Sequence, residues 1–242
     1  MNLLSRIFVG LFIATAAIAS AQEIPELSNL EEWTTYYYLH PKPEEVARAL
    51  KTIDSKGYFG NQDVQAPLSG FFAEIFRANP EQIEAWVTPY RGRPGLHILY
   101  SALWVADSSQ SKAALKAFAE AATPDEAGMI SSLLTSPPPN IESTDINSPA
   151  VLDYLWGRFM ASGSEACVLR VIDQMKLANT KGNIGVMLIG GAAQWSIAAN
   201  SRQHEKVQAI VKARAATADP TTRKMLKEIL RKIEAEKKAH VR

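Results

Sequence analysis

Four stretches of this 242-residue chain repeat one layout: an apolar helix, a small residue followed by a polar turn, then a second helix. They are "SGFFAEIFRANPEQIEAWV", "LHILYSALWVADSSQSKAALKAF", "LDYLWGRFMASGSEACVLRVI" and "GAAQWSIAANSRQHEKVQAIV". Aligned on Ala78, Ala106, Ala161 and Ala199, they carry Phe76, Trp104, Phe159 and Ile197 two positions earlier. Six positions earlier stand Phe72, Tyr100, Leu155 and Ala193, one turn back on the same helical face. The residues after each anchor, "NPEQ", "DSSQ", "SGSE" and "NSRQ", read as tight turns that N-cap the next helix. A pair around Tyr36 and Val46 is a candidate fifth, divergent copy.

One such hairpin cannot hide its apolar face alone, whereas stacked neighbours share a continuous core. The expected fold is therefore all-α, with antiparallel helical hairpins stacked as a short irregular α-solenoid. The anchors are unevenly spaced, so a strict tandem array is not expected. The competing arrangement is a globular bundle whose hairpins merely look alike.

Local signals agree on helix. Ser28 followed by Glu31 is a capping-box pattern. Val46, Ala49, Leu50 and Ile53 recur at amphipathic spacing, and Gly57 ends that run. "GYFGNQDVQ" reads as a loop. Thr123-Pro124-Asp125-Glu126 combines an N-cap threonine, a proline at the first helical position and an early acid. The segment 136–149, "SPPPNIESTDINSP", cannot continue a helix, because its prolines lack donors and clash with the preceding turn. No stretch sustains period-two alternation.

The hairpins resemble tetratricopeptide-type repeats in layout, "LWGRFMASG" coming closest with Gly157 and Gly163, although its spacing departs from that pattern. "LDYLWGRFMASGSEACVLRVI" and "AAQWSIAANSRQHEKV" are also similar to segments of an uncharacterised family of exported bacterial all-helical proteins. That resemblance implies a Gram-negative periplasmic setting and carries over no catalytic or binding residue.

The first residues favour export. Arg6 precedes the apolar run from Ile7 to Ile18, and Ala19-Ser20-Ala21 supplies small residues ahead of a cleavage between Ala21 and Gln22. The run is shorter than the roughly 20 apolar residues of a spanning helix. The expected organisation is a signal peptide at 1–21 and one all-helical domain at 22–242, periplasmic or secreted, with no stable membrane insertion after the signal is removed. Net charge is +1, which argues against nucleic acid as a partner. Residues 22–65 hold eight acids and four bases, while 220–242 hold eight bases and three acids. The latter segment opens with Asp219 as N-cap and carries Leu226, Ile229, Leu230 and Ile233 as one stripe, so it is expected to form a basic C-terminal capping helix.

Candidate chemistry is sparse. Cys167 is the single cysteine. A nucleophilic role would need a nearby base or helix N-terminus to lower its pKa, whereas "ACVLRVI" lets Cys167, Val168, Val171 and Ile172 share an apolar face, so a packing role is expected. His40, His97, His204 and His240 show no ligand spacing, and neither a metal nor a cofactor is expected. His204 is expected to cap or bond locally. Gly190-Gly191 lies in helical sequence, not in a dinucleotide loop, and that helix is expected to be the most buried of the array. Glu31-Glu32 and Glu44-Glu45 point about 100° apart on a helix and do not converge.

The expected function is that of a non-enzymatic exported scaffold that binds a protein or peptide. Tyr58 and Phe59, apolar side chains in a loop, are the candidate contacts. The alternatives are an enzyme with a dispersed site using Cys167 and a histidine, or a secreted effector.

Overall fold

The structure, a computed structural model, describes residues 24–140, 143 and 145–240. Among these residues twelve α-helices follow one another: α1 (Leu30–Tyr36), α2 (Val46–Ser55), α3 (Gln62–Ala78), α4 (Ile83–Val87), α5 (His97–Ala106), α6 (Ser109–Ala121), α7 (Pro124–Thr135), α8 (Pro149–Ser162), α9 (Glu165–Gln174), α10 (Ile184–Gln203), α11 (Glu205–Thr217) and α12 (Pro220–His240). Short 3-10 turns join several of them, and the described residues contain no strand. The fold is all-α. The expected cleavage site at Ala19, Ala21 and Gln22 lies outside the described residues.

Caps explain several boundaries. Asn29, not Ser28, caps α1, accepting from the Glu32 amide at 3.1 Å. Asn29 stands one residue closer to the helix, and its amide oxygen satisfies one of the orphan donors of the first turn. Ser108 and Ser111 form a reciprocal capping box at α6. Asp219 accepts from the Thr221 and Thr222 amides at the start of α12. Gly57 stands just past α2 with φ 69°, and Gly163 just past α8 with φ 65°, the left-handed conformation that a side chain would resist. "GYFGNQDVQ" is only partly loop. Tyr58–Gly60 makes a 3-10 turn, and α3 begins at Gln62 under an Asn61 cap.

The fourth hairpin departs from the expected alignment. The first three apolar helices end at or one residue beyond their anchor alanines, but α10 continues through "NSRQ" to Gln203 and turns at His204. It is longer by about one helical turn.

Apolar side chains gather in two cores. One collects α1 to α7 together with Ala161 of α8, and the other collects α8 to α12. Met160 on α8 packs against both. Helix α3 packs on α5 and, more extensively, on α8, so the α8–α9 hairpin rests on α3 rather than on the α5–α6 pair that precedes it. The proline-rich segment makes this return. Trp104 on α5 donates its indole N–H to the Ser136 carbonyl at 3.0 Å, and Ile146 is buried in the second core.

The α3–α8 crossing is close because each helix offers a glycine to the other. A Cβ on Gly157 would stand 1.9 Å from the Pro67 carbonyl oxygen, and one on Gly70 would stand 2.2 Å from that of Tyr154. Beside this contact Arg158 of α8 pairs with Glu74 of α3, both largely buried. Arg77 reaches the same carboxylate at 2.7 Å and donates to the Val105 carbonyl of α5 at 2.6 Å. Three helices are thus tied at one acid.

Candidate functional site

The crossing that joins the two cores also opens a groove beside it. Helix α1 supplies Leu30, Glu31, Thr34 and Thr35, while Lys56 and Tyr58 approach from the turn after α2. Helix α3 contributes Val64, Pro67, Leu68 and Phe71, and α8 contributes Trp156, Gly157 and Met160. The cavity has a volume of about 430 Å³. That lies within the range of about 300–1,000 Å³ seen for ligand sites.

The local sequence explains the shape. Gly157 brings the α8 backbone down onto Pro67, so the neighbouring positions Trp156 and Met160 stand as walls. Phe71 closes the inner end and is itself held edge-on by Trp33 and Tyr37. The floor is apolar. Exposed Glu31 and Lys56 put one charge of each sign at the rim. The Trp156 indole nitrogen is buried and has no hydrogen-bond partner among the described residues.

Tyr58 and Phe59 part company. Tyr58 lines the groove, with the Lys56 ammonium 6.0 Å from its ring centre. Phe59 is buried, its ring edge-on to Tyr90 at 5.5 Å, and offers nothing to a partner in this conformation. Leu30, Leu68, Trp156 and Met160 were not legible as site residues, because each also satisfies the pattern of an ordinary core position. Pro67 was the available signal. A proline inside a helix leaves the residue-63 carbonyl without its usual donor and marks a place where regular packing is interrupted.

Cys167 sits in the second core with Val168, Val171 and Ile172 and is 1 % exposed. Burial pushes its thiol up to about 11; Arg158 pulls the other way and Glu74 adds to the rise. At neutral pH it is therefore a thiol rather than a thiolate, which is the reverse of an activated nucleophile.

His204 is equally buried, but its bonding is not local. Its Nδ1 meets the Tyr38 hydroxyl at 3.2 Å, and Tyr36, Tyr38 and Phe159 surround the ring. Burial lowers its pKa. His40 and His97 are exposed, and His97 lies near the ring of Tyr100. Among the described residues no three His, Cys, Asp or Glu side chains converge as a metal site would require. No helix among them is long and apolar enough to cross a membrane.

Comparison with protein-family models, with curated proteins and with solved structures finds no match in any of the three.

Proposed function

We propose that the chain is an exported, non-enzymatic scaffold of irregularly stacked, tetratricopeptide-like hairpins that binds a peptide or protein segment in the groove between α1, α3 and α8. The observation that carries this reading is an apolar cavity walled by Leu68, Phe71, Trp156 and Met160, with a lysine and a glutamate at its mouth. An apolar side chain fills the floor, and the flanking backbone or charged groups meet Lys56, Glu31 and Tyr58. Burying one such side chain contributes about 1.5–3 kcal/mol, while association costs about 4 kcal/mol or more. The rim contacts are therefore needed, and the ligand is a segment of chain rather than a single small apolar molecule. In this architecture α12, whose Leu226, Ile229 and Ile233 are buried and whose charges face outward, caps the array. A periplasmic or extracellular setting follows from the leader-like first residues.

The test is selection from a displayed library of random peptides, followed by fluorescence anisotropy on the enriched sequences. Enrichment of an aromatic or large aliphatic anchor is expected. Thr35→Arg, which fills the groove from a half-buried helix position, should weaken binding by about tenfold or more. Peptides that bind this variant as well as the parent, or no enrichment at all, would sink the reading.

A further inference from the structure

Among the described residues, one face of α10 is left without a partner. Ile184, Leu188 and Trp195 are 72 %, 58 % and 75 % exposed, and Met187 is 42 % exposed. Ile189, Ala193 and Ile197, on the opposite face, are buried. The expectation that α10 is the most buried helix is thus overturned. The Gly190 edge does lie against the 3-10 turn at Met175–Asn179, where a Cβ would stand 1.9 Å from the Ala178 amide nitrogen, but the other side is bare.

The exposed positions 184, 188, 191 and 195 are spaced by four, three and four residues. That is the spacing of a two-helix seam, narrower than the stripe a helix turns toward its own core. The apolar surface they expose is on the order of 500 Å², large enough to mark an interaction site on a single chain. No Asp, Glu, Lys or Arg occurs from Ile184 to Ser201.

We infer that this face is the interface of a homodimer, in which α10 packs antiparallel against α10 of a second copy about a two-fold axis. The side chains themselves set the register. Ile184 and Trp195 lie equally far along the helix from the point between Ile189 and Gly190, and so do Leu188 and Gly191. A two-fold axis at that point lays each Trp195 over the other copy's Ile184 and seats each Leu188 over the other copy's Gly191. A Cβ at Gly191 meets nothing within 4 Å, so the gap that receives Leu188 stands open in the single chain. Such self-complementarity is what an interface made of one patch meeting itself requires.

Electrostatics permit the same arrangement. The seam brings no like charges together, since its faces are uncharged from Ile184 to Ser201. A standard interface buries about 800 Å² per partner, about 65 % of it apolar in homodimers, and the bare face supplies an area of that order. A membrane surface fits less well. Helices that lie on lipid carry basic residues along the rim of their apolar face, and the first basic residue of α10, Arg202, is held by Glu236 at 2.7 Å.

Sedimentation equilibrium of the full chain over a wide micromolar range tests this, with Gly191→Leu as the discriminating variant. The added side chain enters open space in the single chain and removes a helix-interior glycine, so the fold is kept, yet it fills the gap Leu188 needs. The parent should approach twice the chain mass. Gly191→Leu and Leu188→Arg should each raise the dimer dissociation constant by about tenfold or more while far-UV circular dichroism is unchanged. A parent that stays monomeric, or a dimer indifferent to both substitutions, overturns the inference. A monomer that co-sediments with phosphatidylcholine vesicles overturns it as well and gives the face to a lipid surface.

Discussion

His204 and Tyr38 are 166 residues apart in sequence and 3.2 Å apart in space. Only one ring nitrogen of His204 finds a partner; Nε2 is buried without one among the described residues, so an imidazolium would leave its second N–H unbonded. Folding therefore lowers the proton affinity of this ring, burial being the cause. The unfolded chain takes up the proton first, and stability present at neutral pH is lost as pH falls through the ordinary histidine range near about 6.5 toward the lower folded value. His204→Gln should cost about 1 kcal/mol at neutral pH through the lost hydrogen bond. It should also flatten the decline of urea-unfolding stability on mild acidification relative to the parent; parallel pH profiles would contradict the assignment. Sequence alone could not reveal this pair, since nothing local ties His204 to the N-terminal segment. Cys167 was legible, because its neighbours Val168, Val171 and Ile172 repeat at helical spacing and leave the sulfur no side but the core.

Helices meet through their smallest residues, and the same amino acid has opposite consequences at two places. Gly157 touches the Pro67 backbone, whereas Gly191 faces open space. Adding a methyl at Gly157 forces α3 and α8 apart, so Gly157→Ala should destabilise by about 1–3 kcal/mol. In the single chain, Gly191→Ala should instead stabilise by up to about 1 kcal/mol, as helix propensity directs. Denaturant midpoints measured at concentrations where the chain is monomeric check both, and equal shifts of the same sign would contradict the crossing described here. Sequence periodicity identified α2 and α12 well because one face of each is apolar and the other charged. It misjudged α10, where apolar residues occupy every side and periodicity cannot say which one is covered. Extension through "NSRQ" was missed for a related reason: these polar residues are turn formers, but on a helix with a buried Ser201 and a cap postponed to His204 they simply continue the coil.

At the scale of the molecule, the chain is two apolar cores joined where α3 meets α8, with Glu74, Arg77 and Arg158 binding the joint and a groove beside it. The all-helical class followed from the absence of alternation and from repeated caps. Which hairpin rests on which did not, because the proline-rich segment lets the chain bypass α5–α6 and return to α3. The groove inherits this illegibility, since its walls come from four segments, one of which, α8, joins the others only after the return. The most direct measurement is backbone hydrogen–deuterium exchange with and without a peptide selected on the parent chain. Slowed exchange should be confined to residues 30–35, 56–58, 64–71 and 156–160, around the groove. Protection that falls on α10 instead, or that is absent from all four segments when the peptide is bound, would show that the ligand sits elsewhere.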